Sequence, residues 1–284
     1  MLAAVAAFSG MDALLKVFSQ SYSPVEVAAL RGLASLPFLI LPTLLTGRLR
    51  YLKPGRFGMH VLRGALTCAV LGGFIYSVRV LSLADAYSIF LAAPLIVTAL
   101  SGPILKEKVG VNNWVVIFIG LIGVLTMLRP SASSLATLGA LAALLSATAY
   151  ALGVIALRAV TQTDSTLSIV FWTIAVMTVF ALAIALPTWV PVRREHWGLL
   201  AALGMFGAVG QALLTEAFRS APPSVVAPFE YTALLWGIGI DWTFWGVLPS
   251  ARVLAGGAVV IGCGLYLIWH ERDFPITALP PRTK

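Results

Sequence analysis

The sequence predicts an all-α integral membrane protein with ten transmembrane helices, and two observations lead to this prediction. The 284 residues are 60% apolar and only 11% charged, with a mean hydropathy of +0.96, whereas an ordinary soluble domain has about 25% charged residues. Apolar runs of helix-spanning length also recur along the whole chain, and a helix of about 20 residues crosses the hydrocarbon core of a bilayer.

Polar residues and prolines divide these apolar runs into ten spans. The breaks are short stretches such as SQSYSP, GRLRYLKPGR, TQTDS and PVRREH, which leave no room for a soluble domain. The predicted spans are 2–19, 25–46, 58–79, 83–104, 112–129, 134–158, 166–189, 197–218, 223–246 and 251–270. The first span lacks a basic segment before it and contains Asp12 and Lys16, so we predict a retained helix and not a signal peptide.

The net charge of +8 is attributed to the loops between the spans. Most of the lysines and arginines assigned to loops, among them Arg48, Arg50, Lys53 and Arg63, fall on the side of the N-terminus if the spans alternate in direction. Because cytoplasmic loops are enriched in these residues, both termini are predicted to be cytoplasmic. The same charge favours contact with anionic lipid over nucleic-acid binding, so the bilayer is a predicted partner and nucleic acid is not.

Two stretches of the chain resemble each other at an offset of 136 residues. They are ADAYSIFLAAPLIVTAL (84–100) and SAPPSVVAPFEYTALLW (220–236), in which Ser88 corresponds to Ser224. A unit of five spans that is repeated once must place its second copy upside down in the membrane. Inverted repeats of this kind build transporters whose substrate site lies near the midplane. Chance similarity between helices rich in small residues is the alternative.

The repeat predicts a division of the chain into three parts. The first five-helix repeat is 1–130, the second, inverted repeat is 131–272, and a cytoplasmic tail follows at 273–284. Gly204, Gly207 and Gly210 recur every three residues in the eighth span, which predicts close packing against a neighbouring helix and not a phosphate-binding loop.

The sequence resembles a known family in both halves. LADAYSIFLAAPLIVTALSGPILKEKVGVNNWVVIFIGLIGVL (83–125) resembles the EamA module of the drug/metabolite transporter superfamily, with its small-residue helix, proline, glutamate and glycine-rich helix. VVAPFEYTALLWGIG (225–239) and GVLPSARVLAGGAVVIGCGLYLI (246–268) are similar to the partner module. The resemblance implies ten helices in two inverted five-helix repeats and secondary transport of small metabolites without a cofactor.

The branch that the sequence resembles most contains bacterial exporters of amino acids and related metabolites, including aromatic ones. This resemblance implies a small-molecule substrate, export, and a place in the bacterial inner membrane. Protons are the candidate coupling ion, and the sequence leaves a monomer and a homodimer open.

Glu230 is the first candidate site residue. A carboxylate deep in a transmembrane segment costs about 2.5–3.5 kcal/mol on insertion scales, so it faces protein or a watery cavity. Pro228 removes a backbone donor two residues earlier, and Pro222 and Pro223 open the segment, which predicts a kinked helix that lines a polar space. Glu230 is interpreted either as a group that binds a substrate amine or exchanges a proton, or as a structural partner of an arginine or of the backbone.

Asp12 and Lys16 lie four residues apart in the first span and share a helix face, so they are predicted to be able to pair. Their separated charges would suit the two charged groups of an amino acid, and a self-satisfied pair is the alternative. Glu26 and Arg31 in the second span are predicted to form a pair, either at the membrane interface or as a structural feature of the family.

Interior aromatic and polar side chains complete the candidate substrate-binding set. Aromatic residues within a span, away from the membrane interfaces, need a hydrogen-bond partner or a cavity; core packing is the alternative for each of them. These residues are Tyr76, Tyr87, Ser88, Tyr150, Trp172, Gln211 and Tyr231.

Enzyme signatures are not found in the sequence. It contains no HExxH, GxSxG or Walker A motif, so we predict a transporter and not an enzyme. Broad efflux of drugs or organic cations is the alternative within transport, because an acidic residue among aromatic rings suits a cation as well. An integral-membrane enzyme and a structural membrane subunit are the remaining alternatives.

Overall fold

The computed structural model describes residues 1–47, 49–93, 95–97, 99–100, 114–116, 118–120, 122–123, 134–161, 163–220 and 227–272. Its α-helices are α1 (Leu2–Ser19), α2 (Pro24–Leu45), α3 (Phe57–Val80), α4 (Leu83–Phe90), α5 (Ser134–Val160), α6 (Thr166–Ala185), α7 (Trp197–Ser220), α8 (Thr232–Ile240) and α9 (Ala251–Arg272). No strand occurs in these parts of the chain, which confirms the predicted all-α class.

Six helices in the described part of the chain are long and apolar enough to cross a membrane. They cover Leu2–Ser19, Pro24–Leu45, Phe57–Val80, Leu138–Leu157, Thr166–Thr188 and Arg194–Ser220. Two further apolar helices, Leu83–Val97 and Ala251–Cys263, are shorter. Most of the fifth predicted span, together with Pro222, Pro223 and the predicted tail at 273–284, lies outside the described residues. The count of ten helices and the inverted arrangement therefore stay predictions.

Serine side chains begin three of these helices. Ser23, Ser82 and Ser165 precede α2, α4 and α6, and each hydroxyl oxygen accepts a hydrogen bond from the backbone amide three residues later. A serine at this position satisfies one of the amides that the first turn of a helix leaves free. These caps fix where the chain enters the second, fourth and seventh predicted spans.

The ninth predicted span is not one continuous α-helix. It consists of a 3₁₀-helix at Ala227–Tyr231, then α8, then a π-helix at Asp241–Trp245. Pro228 has no amide hydrogen and disrupts the regular ladder at its start, and Gly246 ends the segment with a φ of 65°, a conformation that glycine adopts without strain. The irregular backbone places Glu230 in a 3₁₀ turn.

Helices from the first part of the chain pack against helices from the second part. Helix α3 contacts α5 and α6, helix α7 contacts α1 and α2, and α2 contacts α6. The hydrogen bond from Gln20 Nε2 to the Arg79 carbonyl, 3.4 Å, joins the end of α1 to the end of α3. This end of the bundle, which holds Lys16 and Gln20, is called the Lys16 end, and the opposite one, where α1 and α3 begin, the Met1 end.

At the Met1 end, hydrogen bonds of Asp164 connect two loops of the chain. Asp164 Oδ2 accepts a hydrogen bond of 2.9 Å from the Gly55 amide and lies 2.6 Å from His60 Nε2. Arg219 donates to the Asp164 carbonyl at 2.7 Å. Burial raises the pKa of the Asp164 carboxyl, but the hydrogen bonds from His60 and Gly55 outweigh it and leave the pKa below its ordinary value. The carboxylate therefore stays ionised and holds the loop before α3 against the loop between α5 and α6.

Glycines bring α7 close to its neighbours, which confirms the prediction for Gly204, Gly207 and Gly210. A Cβ at Gly204 would collide with the backbone carbonyl of Ala34 in α2, and one at Gly210 would lie 3.0 Å from the Phe8 ring in α1. A side chain can turn away from such a clash, whereas the backbone of a packed helix cannot.

Replacement of Gly204 by alanine is expected to separate α2 from α7 and to lower the free energy of unfolding by about 1–3 kcal/mol, the usual cost of overpacking. The measurement is thermal unfolding of the purified protein in detergent. Gly198 lies in the same helix and is exposed, and a methyl group added there would point into open space, so Gly198→Ala is the control. Equal stability of the two variants would contradict the close α2–α7 contact.

Candidate functional site

A cavity of about 200 Å³ lies between α1, α2, α3, α4, α5, α7 and the segment around Glu230. A buried water needs only about 10–15 Å³ measured in this way, so the cavity has room for a small solute. Its lining runs from Met1 and Phe218, near the Met1 end, to Asp12 and Tyr87. The residues that line it are mostly apolar, but two acidic and two basic side chains are among them: Asp12, Glu230, Arg31 and Arg63.

Asp12 forms the first charged group of the cavity. Its Oδ2 accepts a hydrogen bond of 2.7 Å from the Tyr87 hydroxyl, which joins α1 to α4. Arg31 on α2 lies close enough for its charge to act on Asp12. Both side chains are buried, with exposed fractions of 8% for Asp12 and 1% for Arg31, and such charges are stable in a membrane protein only when paired or in contact with water or ligand.

Glu230 forms the second charged group. Its Oε1 accepts a hydrogen bond of 3.1 Å from the Tyr150 hydroxyl of α5. Arg63 on α3 lines the same cavity and is buried, with 5% of its surface exposed. The two groups therefore have the same composition: one carboxylate, one tyrosine that donates to it, and one arginine that lines the same cavity.

A row of aromatic rings connects the two groups. Tyr87 stacks on Phe74 with ring centroids 5.7 Å apart, Phe74 meets Phe90 edge to face at 5.5 Å, and Phe90 meets Tyr150 at 5.3 Å. All four residues line the cavity. The row gives the cavity an apolar wall between its two charged groups.

The structure brings together five of the ten residues predicted to bind substrate. Asp12, Tyr87, Tyr150, Gln211 and Glu230 line the cavity. The sequence left two interpretations of Glu230 open. It binds a substrate amine or exchanges a proton, or it is a structural partner of an arginine or of the backbone. Among the described residues, its hydrogen-bond partner is a tyrosine.

The other five predicted residues lie away from this cavity. Trp172 donates to the Leu52 carbonyl at 2.7 Å and packs on Phe57 at the Met1 end. Ser88 and Tyr231 are buried with no hydrogen-bond partner for their hydroxyls in the described part of the chain. Tyr76 is partly buried on α3.

Lys16 is the fifth of these residues, and the predicted pairing of Asp12 with Lys16 is wrong. Lys16 Nζ donates to Oδ1 of Asp241 at 2.7 Å and lies 4.3 Å from the centre of the Trp245 ring. Asp241 Oδ2 also accepts a bond of 2.9 Å from the Ala84 amide. A carboxylate from another helix, fully buried and with a second donor, outcompetes the neighbour four residues away.

The predicted pairing of Glu26 with Arg31 is also wrong. Glu26 Oε1 accepts a hydrogen bond of 3.0 Å from the Val190 amide at the Lys16 end. Arg31 points toward α1, where its Nε donates to the Met11 sulfur at 3.2 Å. The two residues are five apart, which on a helix turns their side chains to different faces.

Sequence reasoning missed Arg63 as a cavity residue and Asp241 as the partner of Lys16. Arg63 was counted among the cytoplasmic charges although it lies five residues inside the third predicted span. Asp241 lies within the ninth predicted span. The depth of a charge within its span was the signal in both cases, because a buried charge in a membrane is a candidate site residue.

Membrane-spanning helices around a cavity that contains buried charged residues are typical of membrane transporters for small molecules. The EamA-like transporter family matches residues 1–129 and again residues 137–269. The chain belongs to this family, which confirms the resemblance found in its sequence.

Several characterised transporters are similar to the chain along nearly its full length. The pseudopaline exporter of Pseudomonas aeruginosa is 28% identical over 255 residues, which are 89% of this chain and 89% of the exporter. The riboflavin transporter of Vibrio cholerae is 29% identical over 92% of this chain and 89% of its own length. The S-adenosylmethionine uptake transporter of Rickettsia prowazekii is 26% identical, with 92% and 88% covered.

A solved crystal structure also superposes on the chain with a TM-score of 0.65. The match covers 96% of this chain and 98% of the other at 16% identity. It shows that the two proteins share a fold.

Proposed function

We propose that this protein is a secondary transporter that exports small zwitterionic metabolites, most of all amino acids, across the bacterial inner membrane. The observation that carries the proposal is the balance of acidic and basic side chains in the lining of the cavity. Asp12 and Glu230 offer carboxylate oxygens, Arg31 and Arg63 offer guanidinium donors, and their formal charges cancel. A zwitterion presents one ammonium and one carboxylate, and so finds a partner for each.

The hydrogen-bonding capacity of these groups supports the proposal. A carboxylate has about four acceptor sites, and within the described part of the chain one tyrosine hydroxyl is bonded to each acid. The remaining acceptor sites are available to a substrate ammonium. Hydrogen bonds between ions are about twice as strong as those between neutral groups, and an arginine can bind a carboxylate through two parallel bonds.

The packing of the helices supports transport by alternating access. α3 packs on α5 and α6 while α7 packs on α1 and α2, and this exchange is expected if 131–272 repeats 1–130 in the inverted orientation. The cavity reaches toward the Met1 end, whereas the Lys16–Asp241 pair lies one helical turn, about 6 Å, beyond Asp12 toward the other end. In this proposal, transport requires that pair to separate.

The relatives support a small-molecule substrate and leave its identity to experiment. One is named for export, one for uptake and one for transport without a direction. Export and the cytoplasmic position of both termini rest on the sequence resemblance and on the loop charges. Protons remain the proposed coupling ion, since Asp12 and Glu230 can each carry one.

Efflux of organic cations is the second candidate function. The row of four aromatic rings beside two carboxylates favours it, because aromatic faces attract cations. The two buried arginines oppose it, since a cationic substrate would approach two positive charges without a carboxylate to offer them. The balance of charges therefore favours zwitterions.

The two candidates are separated by transport into proteoliposomes. Radiolabelled alanine and phenylalanine are expected to move faster into vesicles that contain the protein than into protein-free vesicles. Excess unlabelled amino acid is expected to compete, and tetraphenylphosphonium is not. Transport of the organic cation without transport of either amino acid would contradict the proposal and would support the second candidate.

A further inference from the structure

The cavity holds the same set of groups twice. The first set is Asp12, Tyr87 and Arg31, and the second is Glu230, Tyr150 and Arg63. These two sets are called pole one and pole two. One α-amino-acid end, an ammonium beside a carboxylate, would occupy the carboxylate and the arginine of a single pole. A simple amino acid would therefore leave the other pole without a partner.

The arginines of both poles have N–H donors that form no hydrogen bond within the described part of the chain. Each guanidinium carries five N–H donors and no acceptor. Nη1 of Arg31 and Nη1 of Arg63 are buried and find no hydrogen-bond partner among the described residues. Buried donors of this kind cost free energy unless they are satisfied, and satisfying both requires an acceptor at each pole.

The wall between the poles is apolar. Phe74 and Phe90 stand between Tyr87 and Tyr150 in the continuous row of ring contacts. A ligand that reaches from one pole to the other must pass these two rings, and a hydrocarbon segment would bury its surface there at no polar cost.

We infer that the physiological substrate carries two α-amino-acid ends, one bound at each pole, joined by an apolar segment that lies along Phe74 and Phe90. This inference rests on the proposed function and narrows it from zwitterions in general to two-ended zwitterions. Each end contributes one carboxylate to an arginine and one ammonium to an acid.

Three ligands with the same seven-carbon chain test the inference. Diaminopimelate has two amino-acid ends, 2-aminopimelate has one such end and a bare carboxylate, and 2-aminoheptanoate has one end and a methyl group. Binding to the purified protein in detergent is measured by calorimetry, and transport in proteoliposomes. We expect affinity to fall in this order, with diaminopimelate binding roughly ten- to a hundredfold more tightly than 2-aminoheptanoate, the range for adding charge-assisted hydrogen bonds.

Two arginine variants show whether both poles act on one ligand. Arg63→Gln and Arg31→Gln are each expected to weaken diaminopimelate to about the affinity of 2-aminoheptanoate, while 2-aminoheptanoate itself loses no more than about twofold, because the remaining pole still binds it. Arg193, exposed on the surface beside Glu195, supplies the control variant Arg193→Gln. Monodisperse elution and unchanged thermal unfolding identify variants that are folded; if Arg31→Gln is not, Arg63→Gln and Arg63→Lys carry the test.

The outcomes separate the inference from the proposed function. Equal affinity for one-ended and two-ended ligands, together with transport of 2-aminoheptanoate, would overturn the two-ended substrate and leave zwitterion transport standing. Loss of affinity for both ligands to the same extent in the arginine variants would also overturn it. Failure to bind or transport any of the three would contradict the proposed function as well.

Discussion

Replacement of Glu230 by glutamine is expected to reduce transport of a zwitterionic substrate roughly ten- to a hundredfold. Glutamine has nearly the same shape and can still accept the hydrogen bond from Tyr150, so the change removes charge and leaves the packing in place. The lost interaction is a charge-assisted hydrogen bond with the substrate ammonium, worth about 1.5–3 kcal/mol. The measurement is the initial rate of transport of diaminopimelate, which has two amino-acid ends, in proteoliposomes over a range of concentrations.

The control for this variant is Glu216→Gln. Glu216 is an exposed glutamate near the end of α7 that bonds Thr166 and Ser220, so the same chemical change is made outside the cavity. We expect Glu216→Gln to transport at the rate of the unaltered protein. Unchanged transport by a folded Glu230→Gln variant would remove Glu230 from the central role proposed for it.

The same variant separates binding of the amine from proton exchange. If Glu230 binds the substrate, both net transport and exchange of labelled for unlabelled substrate fall in Glu230→Gln. If it carries the coupling proton, accumulation driven by a pH gradient is lost, while exchange continues. Tyr150→Phe, which removes the donor to Glu230 and keeps its charge, is expected to have a smaller effect than Glu230→Gln on either measurement.

Replacement of Asp241 by asparagine is expected to cost about 3–5 kcal/mol of stability, the usual effect of breaking a buried ion pair from one side. Asp241 has no exposed surface and binds both Lys16 and the Ala84 amide. Asparagine can still accept from the amide, but it leaves the Lys16 ammonium in a buried position without a counter-charge. Thermal unfolding in detergent measures the change.

A double variant tests whether the loss comes from the unpaired charge. Lys16→Met together with Asp241→Asn removes both charges and keeps an unbranched side chain only one atom shorter than that of lysine. We expect it to recover most of the stability that Asp241→Asn loses, since replacing a buried ion pair by neutral groups is often nearly neutral. Lys16→Met alone completes the comparison. A loss of stability in the double variant equal to the sum of the losses in the two single variants would contradict a direct pair.

The helices could be predicted from sequence because their formation is a local matter. Ser23, Ser82 and Ser165 mark the starts of α2, α4 and α6 by bonds to amides three residues later, and an apolar run of sufficient length decides the rest. The ninth predicted span is the exception. Pro228 signalled an irregularity there, but the sequence did not indicate that a 3₁₀ turn, an α-helix and a π turn would follow one another.

The candidate site could be predicted only in part. Asp12 and Glu230 were found because a carboxylate in an apolar span is costly wherever it lies along the chain. Arg63 was missed because its position near the start of a span made it look like a loop charge. Lys16 was predicted to pair with Asp12 because the two share a helix face, whereas in the structure Lys16 forms an ion pair with Asp241 of another segment.

By itself the sequence determined that this protein is a bundle of membrane-spanning helices of the EamA-like family, with buried carboxylates in its first and ninth predicted spans. Lipid provides no hydrogen bonds, so each span must satisfy its own backbone, and its composition suffices to identify it. The tertiary structure alone decided which charges meet. The hydrogen-bonded residues are 75 positions apart in sequence for Asp12 and Tyr87, 80 for Tyr150 and Glu230, and 225 for Lys16 and Asp241. Pairs at such separations depend on how helices pack, and residues close in sequence do not reveal that packing.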